Sequence, residues 1–319
     1  MKLWGLHNRK VVKRKGEFVK KFFIFFLTVL TISVVLFFVQ RLVTSKIHNG
    51  NSIFSMRANW KEYNYRACYD ISSEYLYNRP FNCTALTYHG YSAFYLAVSQ
   101  NDLSQAQAML DESIISLRTA IQYAKKSSLS QLYYMLGKAY FYKNLQSAYY
   151  YYADLAVEYL TKSRTLGYKS DDIPELLGLS YASLGMTMES ISAFTEALLV
   201  KESDILLLSI AEQYKNAGQI QAAQQYLYRI SQSCKDEQII LKNHLLQGEI
   251  YLDLGRYEEA ENEFNLILEK NENSTDALYG LGVIYENQGD LVKARSEWRK
   301  ALRIQSNHPG ALKKMADYK

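Results

Sequence analysis

The stretch ALYGLGVIYENQGDLVKARSEWRKAL, Ala277 to Leu302, decides the fold when it is set beside NHLLQGEIYLDLGRYEEAENEFNLIL, Asn243 to Leu268. Gly282, Tyr285, Gly289, Ala294, Trp298 and Ala301 fall 34 residues after Gly248, Tyr251, Gly255, Ala260, Phe264 and Ile267. A fixed period of this length, read as helix, turn, helix, marks a stacked array of hairpins in place of a single globule. Working toward the N-terminus, the unit recurs with Ala211, Tyr214, Gly218, Ala223 and Leu227, and before that with Gly178, Tyr181, Gly185, Phe194 and Ala197. A further copy opens with Leu136, Gly137 and Tyr140. Three prolines in 319 residues agree with long, uninterrupted helices.

This pattern resembles the tetratricopeptide repeat (TPR) family: a small residue and tyrosine in the first helix, glycine at the turn, then alanine and an aromatic in the second. Five copies cover residues 130–308, divergent helical repeats fill 59–129, and 309–319 is too short for another unit and reads as a cap. Ser190 stands where the family has alanine, and Pro174 opens its repeat. The resemblance implies an all-α, right-handed superhelical solenoid of antiparallel helix pairs, here preceded by one transmembrane helix.

That helix is expected over Phe22 to Val39, FFIFFLTVLTISVVLFFV, eighteen residues without a charge. At 1.5 Å per residue it spans roughly 27 Å, enough for a hydrocarbon core with snorkelling flanks. Residues 1–21 carry eight lysines and arginines against Glu17 alone, so the chain's net charge of +5 is a local tail, and the rest of the sequence is slightly acidic. The basic side stays in the cytoplasm by the positive-inside rule, which puts the repeats outside it. A polar linker follows over 40–58. The competing reading is a cleaved signal peptide, for which Val43 to Ser45 offers a poor site, and the apolar run exceeds a signal core. The expected location is therefore a bacterial inner membrane, single-pass, with extracytoplasmic repeats. An alternative is a eukaryotic signal-anchored receptor with cytosolic repeats.

No phosphate loop, HExxH, serine elbow or glycine-rich dinucleotide turn is present, so no enzyme, cofactor or metal is expected. The local charge balance removes the support for nucleic-acid binding. Cys68, Cys83 and Cys234 lack metal-type spacing; Cys68 and Cys83 can face each other across a hairpin, as a disulfide or as free thiols.

Carrying the family's inward-facing first-helix positions onto each repeat gives a candidate partner- or ligand-binding groove. The helix of residues 131–143 supplies Tyr134, Lys138, Phe141 and Tyr142, and the next offers Glu175 and Leu179. Leu208, Glu212 and Lys215 follow, then Leu245, Glu249 and Leu252, and finally Tyr279 and Glu286. One end is aromatic with a cation; the other is apolar and acidic, unlike the lysine-rich clamps with which family members grip acidic chaperone tails. The resemblance thus implies a scaffold for protein or peptide partners, in envelope assembly, secretion or wall growth. A second use of the aromatic end is stacking on a small ligand or glycan.

One joint breaks the period. Between Gly137 and Ala156 there are seven residues more than the repeat allows, and they include the run Tyr149 to Tyr152. Placing the turn at Asn144 starts the second helix near Ser147, lengthened by nearly two turns, with Tyr149 and Tyr152 packed and Tyr150 and Tyr151 exposed. A turn near Asp154 would instead lengthen the first helix.

Overall fold

Polar residues that bond their own backbone mark where this chain enters helices. Ser52, Asn64, Asn82, Asp102, Ser203, Asp236 and Asp290 each accept a hydrogen bond from a first-turn N–H, satisfying a donor that has no partner inside the helix. The exits within pairs are equally regular: Gly185, Gly218, Gly255 and Gly289 hold φ between +70 and +85°, a conformation that a Cβ disfavours.

The computed structural model describes residues 28–40, 52–147 and 152–318, and every regular element among them is a helix. Residues 28–40 form a helical stretch, α1, exposed along its length. No described helix is long and apolar enough to cross a membrane. Residues 22–27 of the expected span, the basic tail and residues 41–51 lie outside the described residues.

The first compact unit ends at Ala124 and holds two helix pairs, α2 (Ile53–Lys61) with α3 (Tyr65–Asn78) and α4 (Cys83–Val98) with α5 (Leu103–Tyr123). The expected linker over 40–58 is too long at its C-terminal end. Helix α2 begins at Ile53 because Ser52 caps it and Met56 is buried against Cys68 and Ala85. Gly90 lets α4 and α5 approach closely, since a Cβ there would lie 2.7 Å from Leu117. Buried His89 bridges Ser116 at 2.9 Å and Ser73 at 3.1 Å, and burial pushes its pKa down. Cys68 and Cys83 are free thiols, each facing a backbone carbonyl, of Met56 and Ala120 respectively, at 3.5 Å.

The second unit, from Lys125, contains five pairs: α6 (Lys126–Gln146) with α7 (Ala153–Thr165), α8 (Ile173–Ser183) with α9 (Thr187–Val200), α10 (Asp204–Asn216) with α11 (Ile220–Ser233), α12 (Glu237–Asp253) with α13 (Tyr257–Lys270), and α14 (Thr275–Asn287) with α15 (Leu291–Ile304). Helix α16 (Pro309–Asp317) closes the last pair. The small repeat residues let the two helices of each hairpin approach closely. A Cβ on Gly178 would lie 2.4 Å from Phe194, one on Gly248 2.6 Å from Phe264, and one on Gly282 2.2 Å from Trp298, so each glycine seats the aromatic of its own hairpin. Ser190, in place of alanine, is buried and donates to Gly178 O at 2.8 Å, which offsets the cost of its hydroxyl.

The joint at the tyrosine run differs from the expectation of a turn at Asn144. Asn144 is buried within α6, which continues to Gln146, and α7 starts only at Ala153. Helix α6 ends nine residues after Gly137, whereas α8 ends five after Gly178, so four of the seven extra residues lengthen the first helix. The other three lengthen the connection, 147–152 against 184–186. One added turn leaves the buried face of α6 in phase, and α7 keeps the register of its neighbours. Tyr149, Tyr150 and Tyr151 lie outside the described residues. Tyr152 does pack, stacking on Tyr140 at 6.2 Å with the Lys143 ammonium 5.3 Å from its ring.

Candidate functional site

The first helices of successive pairs lie side by side: α10 packs on α12 and α12 on α14. Their shared surface is concave. Leu208 and Glu212 from α10 join Leu245 and Glu249 from α12, together with Ile205 and Lys242, around a cavity of about 370 Å³. Leu245 and Glu249 also border a second cavity of about 330 Å³ with Leu252, Tyr279 and the start of α16. Six of the residues expected from the sequence, Leu208, Glu212, Leu245, Glu249, Leu252 and Tyr279, therefore border two adjoining hollows.

The chemistry of this strip is apolar with carboxylates. Lys215 reaches across from α10 to Glu249 at 2.6 Å, a pair that ties neighbouring first helices together. Glu212 and Glu175 are exposed, and Leu179 is half-buried against the Phe194 cluster. At the far end Glu286 accepts from Lys314 at 2.5 Å and from the Tyr318 hydroxyl at 2.6 Å, so α16 occupies that carboxylate. His308 caps α16 by accepting the Ala311 N–H at Nδ1, which leaves Nε2 as the protonated nitrogen that donates to Asp276 at 3.1 Å. Tyr279 packs beside this histidine, 5.1 Å between ring centres.

The aromatic end is arranged differently from the expectation of an open groove. Tyr134 and Phe141 are buried, Tyr134 against Tyr168 at 4.8 Å and Phe141 edge-on to Tyr142 at 5.5 Å. The Tyr134 hydroxyl donates into the Asp172 carboxylate, 2.8 and 2.9 Å from its two oxygens, and Lys138 binds the same group at 2.9 Å. Ser170 adds a donor at 2.6 Å. Burial alone would raise the Asp172 pKa, but the hydrogen bonds from Ser170, Lys138 and Tyr134 outweigh it and hold the carboxyl below its usual range. Burial pushes the Tyr134 phenol up to about 12. Burial acts to lower the Lys138 pKa, and the bond to Asp172 more than reverses it.

Asp172 was not among the residues expected from the sequence. The signal for it is DDIPE, Asp171 to Glu175, an acidic entry to a helix with proline in its first turn. Aspartate at this position ordinarily bonds its own helix, but the Asp172 side chain makes no such cap and turns to α6 instead. Among the described residues, no three His, Cys, Asp or Glu side chains are grouped to hold a metal ion.

Residues 245–309, the part bordering these hollows from α12 onward, match the family model described as tetratricopeptide repeat. That stretch is tetratricopeptide-repeat-like. The chain is 31% identical over 116 residues to tetratricopeptide repeat protein 21B of Xenopus laevis, a match that covers 35% of this chain and only 9% of that protein. Among solved structures, the C-terminal part of a TPR repeat-containing protein from Cytophaga hutchinsonii superposes with a TM-score of 0.55 at 12% identity, over 82% of this chain and 98% of that one. A TPR protein from Parabacteroides merdae gives 0.52 at 16% identity, over 82% and 94%. At such identities these likenesses show the fold, an all-helical TPR solenoid of paired helices.

Proposed function

We propose that this chain is a membrane-anchored, non-enzymatic scaffold whose α10, α12 and α14 surface docks a segment of a protein partner. The observation that carries the docking reading is the pair of adjoining hollows with mainly apolar floors and rims that carry Glu212, Glu249 and Lys242. Extended or helical peptides use such strips through apolar side chains that fill pockets, with rim charges setting partner choice and register. Exposed Glu212, with Glu249 already paired to Lys215, favours a segment that sets a lysine or arginine against Glu212 beside leucine-like side chains. The anchor reading rests on the uncharged run from Phe22 to Val39 with its basic flank, which places the repeats outside the cytoplasm, with envelope assembly, secretion or wall growth as the processes served.

The docking reading is tested by solubilising full-length protein from its native membrane and comparing it with the Glu212→Lys/Glu249→Lys variant. Wild type should migrate with a defined partner that the variant loses, by roughly tenfold or more for reversal of two rim charges. The melting temperature should fall only modestly, because Glu249→Lys also breaks the partly exposed pair with Lys215. A variant that keeps its partner in full contradicts the docking reading.

A further inference from the structure

We propose that the outer face of α2 and the turn after it rest on an anionic lipid surface. This inference depends on the anchor reading above and concerns a different part of the chain from the groove.

Phe54, Arg57 and Lys61 occupy positions i, i+3 and i+7 of α2 and therefore form one stripe. All three are exposed, and Phe54 retains 81% of its surface. The opposite face cannot trade places with them. Met56 is fully buried against Cys68 and Ala85, and Trp60 lies among Tyr65, Tyr88, Tyr91 and Tyr95 at 5.3 to 6.1 Å. An apolar ring and two cations are thus held outward by the packing of the rest of the pair.

The turn supplies an independent observation. Tyr63 has φ +57°, the left-handed region, where a side chain costs about 1–2 kcal/mol that glycine would not. The other left-handed positions in the described chain are glycines, Gly167, Gly185, Gly218, Gly255 and Gly289. Tyr63 does not recover that cost by burial, since 76% of it is exposed. Its ring meets Tyr65 edge-on at 6.4 Å and otherwise stands in solvent, open to a surface outside the fold.

Aromatic rings flanked by lysine and arginine match the membrane–water interface, where the ring sits among headgroups and the cations meet lipid phosphates. Chain length permits it. Only residues 41–52 separate the end of α1 from α2, and twelve residues reach at most about 43 Å. The stripe itself contains no acid, Glu62 following at the helix end.

The test uses the full chain reconstituted in vesicles of phosphatidylcholine alone or mixed with phosphatidylglycerol. The photoreactive residue p-benzoylphenylalanine is placed at Phe54, at Tyr63 or at Ile115, an exposed position on α5. Resistance to alkaline carbonate reports separately on the anchor. Lipid adducts at 54 and 63 should exceed those at 115 several-fold, and Arg57→Glu/Lys61→Glu should lower the preference for anionic vesicles by roughly tenfold. Adducts no greater than at 115 in carbonate-resistant protein overturn the inference while the anchor stands. Carbonate-extractable protein overturns the anchor reading, and in that case adducts at 54 and 63 on added vesicles still support the lipid contact, whereas their absence overturns both. Protein adducts in place of lipid at these positions also overturn it.

Discussion

Replacing Trp298 by alanine should cost about 3–5 kcal/mol, the range for truncating a fully buried aromatic. Trp298 fills the centre of the last hairpin. It sits over Gly282, touches the Leu278, Ala294, Ala301 and Ala311 cluster, and stacks on Tyr318 of the terminal segment at 6.0 Å. Its removal opens a cavity shared by α14, α15 and α16. Because a repeat array stabilises each unit chiefly through its neighbours, the damage should be local. Hydrogen exchange read by mass spectrometry should show protection lost over 275–318 and retained over α8 and α9. The indole N–H is buried without an acceptor, so it contributes no hydrogen bond. Trp298→Phe should therefore cost much less than Trp298→Ala. Equal losses for the two variants, or a loss of protection spread through the whole array, would contradict this picture.

The second large effect is expected at Asp172. Asp172→Ala leaves the Lys138 ammonium and the Tyr134 hydroxyl half-buried without their shared acceptor, and should cost about 2–3 kcal/mol. The same carboxylate gives the effect a pH signature. Its folded pKa is depressed, so the stabilisation is fully present above the unfolded carboxylate value of about 3.9 and is lost as pH falls through the lower folded value. The melting difference between wild type and Asp172→Ala should be constant near neutrality and shrink below pH ~4. Replacing both ends of the pair, Lys138→Met with Asp172→Leu, should be milder than Asp172→Ala alone, because no charge is left unpaired. A double variant as unstable as the single one would mean that the contact depends on shape and not on charge.

What could be read in advance follows from how the interactions are encoded. Gly248 with Phe264 and Gly282 with Trp298 are contacts within one hairpin, separated by sixteen residues each time, so periodicity alone exposes them. Leu208, Leu245 and Tyr279, which border the two hollows, occupy equivalent first-helix positions in the same frame, because a repeating register carries one helix face into the next. The joint before α7 resisted for a physical reason. Spacing gives the size of an insertion, but four residues added to a helix and three to a connection preserve phase as well as seven added to the second helix would. The aromatic end resisted for another. Tyr134 and Lys138 look like groove residues by position, and what closes over them is Asp172 from the following hairpin, a partner chosen by tertiary geometry.

The docking claim is tested most directly by in-cell photo-crosslinking from Leu208 and Leu252, with Val292, exposed on the second helix of its pair, as control. The expected result is one and the same protein captured from both groove positions in the full-length chain and not from Val292, with capture abolished by Glu212→Lys/Glu249→Lys. Capture no stronger from Leu208 and Leu252 than from Val292 would contradict a docking groove along α10, α12 and α14.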